Sequence, residues 1–199
     1  MYEYTDKVIL YMKKRFIRLF SNFKSQSSFD ELNVISSAKA LYDELKQIVI
    51  ECFVMIAQHA YLANGGANEH FITEELVVGW LGEYDPVAKY VFMHEIERKC
   101  ARFAESVIAS PNKAQEIDTA LRYWSDMATQ FAITVTDKAV DRAHRDSGVE
   151  RVIWITERDE KRCKVCGKRD NVIYDIAKVP PKPHLRCRCY TRPYWGGVD

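Results

Sequence analysis

Over most of this chain apolar residues recur every three or four positions, and beyond residue 147 the period drops to two. Val8, Ile9, Met12, Phe16, Leu19, Phe20 and Phe23 mark a first helix over residues 2–24, which Ser25 to Ser28 interrupt. A long amphipathic segment follows from about Phe29 to Leu62. Asn64-Gly65-Gly66 ends it, because glycine adopts the left-handed backbone that closes a helix. One short helix is expected around Glu74 to Leu81. Pro86 opens the next helix, where its missing N–H costs nothing. Ala88, Phe92, Ile96, Cys100, Phe103 and Val107 then form a single stripe. Ser110-Pro111-Asn112 separates it from a last helix carrying Ile117, Leu121, Trp124, Ala128, Phe131, Val135 and Ala139 on one face. From residue 113 to 145 that helix would run about 50 Å. These stripes read as the buried faces of a bundle.

Ser147-Gly148 is the break. Val152, Trp154 and Thr156 then alternate with Ile153 and Ile155, the period of a strand, and Val172 to Ile176 reads as a second. Between them Cys163-Lys164-Val165-Cys166-Gly167 has the form of a metal-binding knuckle closing a hairpin, with the glycine freeing backbone N–H groups to point at the sulfurs. Pro180-Pro181-Lys182-Pro183 is a stiff, extended connector. It leads to His184-Leu185-Arg186-Cys187-Arg188-Cys189.

Composition places the chain among ordinary globular proteins, with 199 residues, 47% hydrophobic and 29% charged. The longest apolar run, Ile48 to Ala57, is interrupted by Glu51 and is too short to span a bilayer. The N-terminus sets acids before its apolar stretch and bases after it, the wrong order for a secretory signal. A reducing cytoplasm is therefore expected, where clustered thiols more often hold metal than form disulfides. The formal net charge of +1 hides an asymmetry. Residues 151–199 hold 12 Lys+Arg and 6 Asp+Glu, or +6, which leaves −5 on the first 150. A basic tail on an acidic body suggests that the tail meets something anionic.

Four of the six cysteines lie within 27 residues, between Cys163 and Cys189. A tetrahedral zinc takes four donors at about 2.0–2.3 Å. Cys163, Cys166, His184, Cys187 and Cys189 offer five for those four places. Cys163, Cys166 and at least one of Cys187 and Cys189 are expected ligands, with His184 and the other cysteine competing for the remaining place. Fifty residues make a marginal core, so the zinc would be structural. Two disulfides and unligated thiols are the alternatives. The closed donor set and the absence of an HExxH pattern speak against a catalytic metal. Cys52 and Cys100 sit on apolar helical faces and behave as small hydrophobes. His59, His70, His94 and His144 read as surface or satisfied core histidines. The fold class is mainly α with a small α+β C-terminal zinc module. An elongated helical bundle or hairpin over 1–146 precedes a short β-hairpin metal-binding domain over 147–199, with Trp154 and Tyr174 packed behind the metal.

The tail resembles the phage head-morphogenesis, or minor head protein, family that includes the F protein of phage Mu. The resemblance rests on Trp154, Thr156, Asp159, Cys163, Cys166, the Pro180–Pro183 run and the closing His184-to-Cys189 sequence, with Leu185 replacing the family's usual proline. Upstream, GEYDPVAKYVFMHEIERKCARFAESVIAS is similar to the helical middle of minor head proteins, so the likeness covers roughly residues 80–190. It implies a non-enzymatic virion component inside the capsid or at the portal vertex, present in the host cytoplasm during assembly. Portal protein and major capsid protein are the implied partners, with viral DNA and an oligomer on the capsid as further expectations. The implied role is head assembly and DNA packaging or ejection. Some family members carry a toxin domain after the cysteine motif, and with ten residues after Cys189 in this sequence none is expected here. Lys164, Lys168, Arg186, Arg188 and Arg192 are the candidate nucleic-acid or partner contacts. A zinc-ribbon nucleic-acid-binding adaptor and a treble-clef nuclease are the alternative functions.

Overall fold

A computed structural model describes residues 2–83, 92–156, 163–184 and 186–196. Pro86 and Ala88, on which the start of one helix was to rest, lie outside these residues, as do Asp159 and Leu185 of the C-terminal pattern. The body is built from α1 (Glu3–Lys24), α2 (Glu31–Ala63), α3 (Glu74–Gly82), α4 (Phe92–Ala109) and α5 (Lys113–Asp146). A single turn of 3-10 helix, Glu69–Phe71, that the apolar pattern did not signal precedes α3.

Side-chain caps set the helix starts. Asp30 accepts the Asn33 N–H at 3.0 Å, so α2 begins two residues after Phe29. Thr73 accepts from Leu76 at 3.2 Å for α3, and Asn112 accepts from Gln115 at 3.2 Å for α5. Gly148, at φ 71°, ends α5 where the pattern put the domain boundary.

α2 packs against α1, α4 and α5. Each of the four inserts its apolar stripe into one shared core. An aromatic stack fills the middle. Trp124 of α5 meets Tyr42 of α2 edge-on and donates its Nε1–H to the Tyr42 hydroxyl at 3.0 Å. Phe92 of α4 tilts against Phe131 with 4.3 Å between centroids. The donor on Trp124 is thus satisfied where the ring is fully enclosed. Glu95 of α4 is also buried, and it accepts from Tyr123 at 2.6 Å and from Arg98. Burial would raise its carboxyl, but these hydrogen bonds and the charges of Arg98 and Lys99 outweigh it and hold the group below its ordinary value.

After α5 the chain forms β1 (Arg151–Ile155), α6 (Lys164–Arg169), β2 (Ile173–Asp175) and β3 (Tyr190–Pro193). β1 is the central strand and is antiparallel to both neighbours, giving the order β2-β1-β3. The hairpin expected from the sequence is therefore a three-stranded sheet. β2 is shorter than the Val172–Ile176 run, because residues 176–178 turn into 3-10 helix. β3 was missed, since Tyr190-Thr-Arg-Pro193 is too short and mixed to show alternation. Among the described residues no helix is long and apolar enough to cross a membrane.

Trp124→Ala should cost about 3–5 kcal/mol, because it opens a cavity and leaves the Tyr42 hydroxyl without its donor. The midpoint of urea unfolding would report that loss.

Candidate metal centre and its joint with the helical body

The first half of the centre is made by a helix start. Cys163 caps α6, and its Sγ accepts the Cys166 N–H at 3.3 Å. The CxxC thus opens a short helix and does not close a tight hairpin. Gly167 lies inside that helix and sends its N–H to the Cys163 carbonyl at 2.9 Å, so the N–H aimed at sulfur comes from Cys166. One helical turn leaves Cys163 half-exposed and points Cys166 inward. Thr156 fastens α6 to the end of β1. Its hydroxyl donates to the Cys166 carbonyl at 2.9 Å, and its N–H donates to Asp170 at 2.9 Å. Asp170 was not singled out from the sequence, and only its place in the turn after the knuckle could have drawn attention to it.

The second half arrives through the proline run. Arg169 lies over the Trp154 ring at 5.2 Å and donates to the Pro181 carbonyl at 2.6 Å, which ties the connector to α6. Arg186 sits at φ 58°, a left-handed position that turns the chain between His184 and Cys187.

The two halves meet. The Cys166 Sγ is 3.6 Å from the Cys187 Sγ and 3.6 Å from the His184 Nε2. Cys163, Cys166 and His184 form one group with donor atoms within 4.8 Å of one another, and Cys166, Cys187 and Cys189 form another. Cys166 belongs to both. Donors at about 2.3 Å around a tetrahedral ion would stand about 3.8 Å apart, so these separations fit a metal ion. All six cysteines are unbonded. Trp154 packs with Cys166, Cys187 and Cys189, and Tyr174 and Val179 lie against that cluster.

The charge state of the thiols follows from burial. The Cys166 N–H, aimed at its sulfur, lowers the Cys163 thiol to about 7. Burial pushes Cys166 far up, and the neighbouring thiols of Cys163, Cys189 and Cys187 add to the rise. Burial likewise raises Cys187, against the Cys189 N–H and the Lys182 charge. Without a cation, Cys166 and Cys187 resist ionisation while Cys163 does not. A bound divalent ion removes that penalty by taking the protons' place.

Lys182, by sequence only part of a proline-rich connector, joins the centre to the body. Its ammonium donates to the Cys187 carbonyl at 2.8 Å and to the Tyr2 hydroxyl at 2.7 Å, and it bridges to Asp137 of α5 at 2.6 Å. Tyr2 donates to Asp137 at 2.7 Å and lies 3.3 Å from the Cys189 carbonyl. About a quarter of the Asp137 side chain stays accessible (24%), yet desolvation outweighs Lys182 and Tyr2 and raises its carboxyl.

The other candidate contacts divide. Arg188 bridges to Asp6 of α1 at 2.8 Å, and Arg186 bridges to Asp126 of α5 at 3.1 Å. These two, expected to reach an external anion, instead answer carboxylates of the chain's own body. Lys164, Lys168 and Arg192 stay exposed. Of the histidines, His59 stacks on Tyr4 with 3.8 Å between ring centroids, and His70 and His94 are exposed. His144 departs from expectation. It is buried, and neither ring nitrogen has a hydrogen-bond partner among the described residues. It borders a 310 Å³ cavity between α5 and the sheet, together with Val140, Trp154 and Ile176.

The purified chain should carry one divalent ion per molecule by native mass spectrometry. Cys166→Ser should lose it and expose the C-terminal segment to protease, because Cys166 serves both donor groups. Lys182→Met should cost about 2 kcal/mol in urea unfolding with the metal retained, since it removes the cation beside Asp137, which keeps only the Tyr2 hydrogen bond, and takes a donor from the Cys187 carbonyl. Burial, partly opposed by Asp141, lowers His144 from its ordinary 6.5. As pH falls through that value the unfolded chain gains a proton that the folded chain refuses, so stability should drop. His144→Gln should flatten the fall between about pH 7 and pH 5.5, read from urea midpoints. Compared with models of protein families, with curated proteins and with solved structures, the chain matches none, and the site's chemistry rests on its own geometry.

Proposed function

We propose that this chain is a minor capsid, or head-morphogenesis, protein of a tailed phage, with a structural Zn²⁺ in its C-terminal module. The reading is carried by one observation. The CxxC and the HxxCxC segments, whose order and spacing resemble the phage family, converge at 3.6 Å between Cys166 and both Cys187 and His184. A thiolate-rich, closed donor set suits zinc over oxygen-seeking cations. The ion would be held by four of Cys163, Cys166, His184, Cys187 and Cys189. When bound it supplies a cross-link and no open coordination place for chemistry. The chain's own part is to hold that cross-link against the bundle through Lys182, Tyr2 and Asp137.

In this role the protein acts without catalysis, near the portal vertex, during head assembly and DNA packaging or ejection. Portal protein and major capsid protein are its partners. The long helices of the body offer the surface for those contacts.

Co-expression with the portal and major capsid proteins of the genome that encodes it should place the chain in sedimented particles. The number of copies should be small against the major capsid protein, as read by quantitative mass spectrometry. Cys166→Ser should reduce incorporation. A chain that stays entirely in the soluble fraction while particles form would end the proposal.

A further inference from the structure

Two exposed apolar surfaces of the helical body carry opposite charge. The first is the outer side of α1. That helix buries Met12, Phe16, Leu19 and Phe20, and positions 10, 14, 17 and 18 fall on the opposite side, because residues four, seven and eight apart share one helical face. Leu10 is 57% and Ile17 53% exposed there, with Lys14 between them and Arg18 beside them. α1 is also the basic part of the body. It holds six Lys+Arg against two Asp+Glu, whereas residues 25–150 hold 11 against 20. Lys7, Arg15 and Lys24 meet Glu3, Glu51 and Asp118. Lys14 and Arg18 have no carboxylate partner among the described residues.

The second surface lies where α2 ends. Phe71, in the 3-10 turn before α3, is 56% exposed, and Leu62, on the last turn of α2, is exposed as well. Gln58, one turn before Leu62, donates to the Ile72 carbonyl at 3.2 Å, which holds the end of α2 beside this turn. Glu69 belongs to the same 3-10 turn, and Glu74 and Glu75 open α3. All three are exposed, and none meets a cation among the described residues. The start of α3 accommodates Glu74 and Glu75, because a helix N-terminus favours negative charge, but that does not account for Phe71 and Leu62 standing in water next to them. α3 packs against α2, α4 and α5, and α1 against α2 and α5. The two surfaces therefore belong to different parts of the body, and no ion pair joins them among the described residues.

We propose that the outer side of α1 docks on the Phe71 surface of a second copy of this chain, with Leu10 and Ile17 set against Phe71 and Leu62, and Lys14 and Arg18 against Glu69, Glu74 and Glu75. Each surface finds its complement, in charge and in apolar character, on the same molecule but out of its own reach. Exposed ion pairs contribute little each, so the apolar side chains supply the affinity and the charges set orientation and salt sensitivity. Because the two surfaces differ, the contact is heterologous. It repeats head to tail and either closes into a ring or runs on as a filament. An anionic membrane or a nucleic acid would answer the cations of α1 but would leave Phe71 and its neighbouring acids without a role. The contact goes beyond the virion reading and does not rest on it. It is tested on the isolated, metal-loaded chain, so its failure leaves particle incorporation untouched.

Sedimentation velocity across a range of protein and salt concentrations tests the contact. Species larger than the monomer should grow with protein concentration and dissociate as salt rises from about 50 mM to about 500 mM. Leu10→Ser with Ile17→Ser should weaken the association about tenfold. Lys14→Glu with Arg18→Glu should leave a monomer, and so should Glu74→Lys with Glu75→Lys. An equimolar mixture of these two charge-reversed chains should associate again, because each then offers the other an opposite charge at both surfaces. Unchanged circular dichroism and metal content would show that the variants fold. A monomer at every concentration, association indifferent to the charge reversals, or reversed chains that stay monomeric when mixed would each overturn the proposal. So would phosphatidylglycerol vesicles that bind a monomeric chain through Lys14 and Arg18.

Discussion

One ammonium group holds the two parts of this molecule together. Lys182 reaches Asp137 on α5, Tyr2 at the start of α1 and the carbonyl of Cys187. A lysine withdrawn this far from water is stable only if its donors find acceptors, and here three of them do. Because the acceptors belong to the first turn of the chain, its longest helix and its cysteine loop, the position of each depends on the other two. Arg188, paired with Asp6 and lying over the Tyr2 ring at 5.1 Å, repeats the same link from the segment just before β3.

This joint explains how a segment of fifty residues, with a core of little more than Trp154 and three buried cysteines, can be shaped at all. So small a module buries too little apolar surface to offset its chain entropy. Part of the deficit is met by docking on the helical body. A metal ion bound at the thiols would supply the rest as a cross-link, taking the place of the protons that burial favours on Cys166 and Cys187. Cys166 is the pivot, being the donor that both halves share.

The tail's charge takes on a different meaning in three dimensions. A +6 segment attached to a −5 body looks, along the chain, like a polycation in search of a partner. Folding brings Lys182, Arg186 and Arg188 onto Asp137, Asp126 and Asp6, so part of the asymmetry is satisfied within the molecule. Two of these pairs are largely exposed and contribute orientation more than stability. Lys164, Lys168 and Arg192 stay exposed and have no carboxylate partner among the described residues.

Local patterns settle local structure. The helical stripes of α2, α4 and α5, the end of α5 just before Gly148, the strand through Trp154 and the clustering of four cysteines with His184 were legible, because helix and strand periods and the spacing of thiols are written in neighbouring residues. The start of α2 slipped by two positions because the Asp30 side chain, rather than hydrophobicity, sets it. β3 was invisible because four mixed residues have no period, and it becomes a strand only by pairing with β1. The same holds for Lys182, Arg186, Arg188 and His144. A charged or titratable side chain takes its role from what faces it, and what faces these four lies on other elements, up to 182 residues away in the case of Arg188 and Asp6.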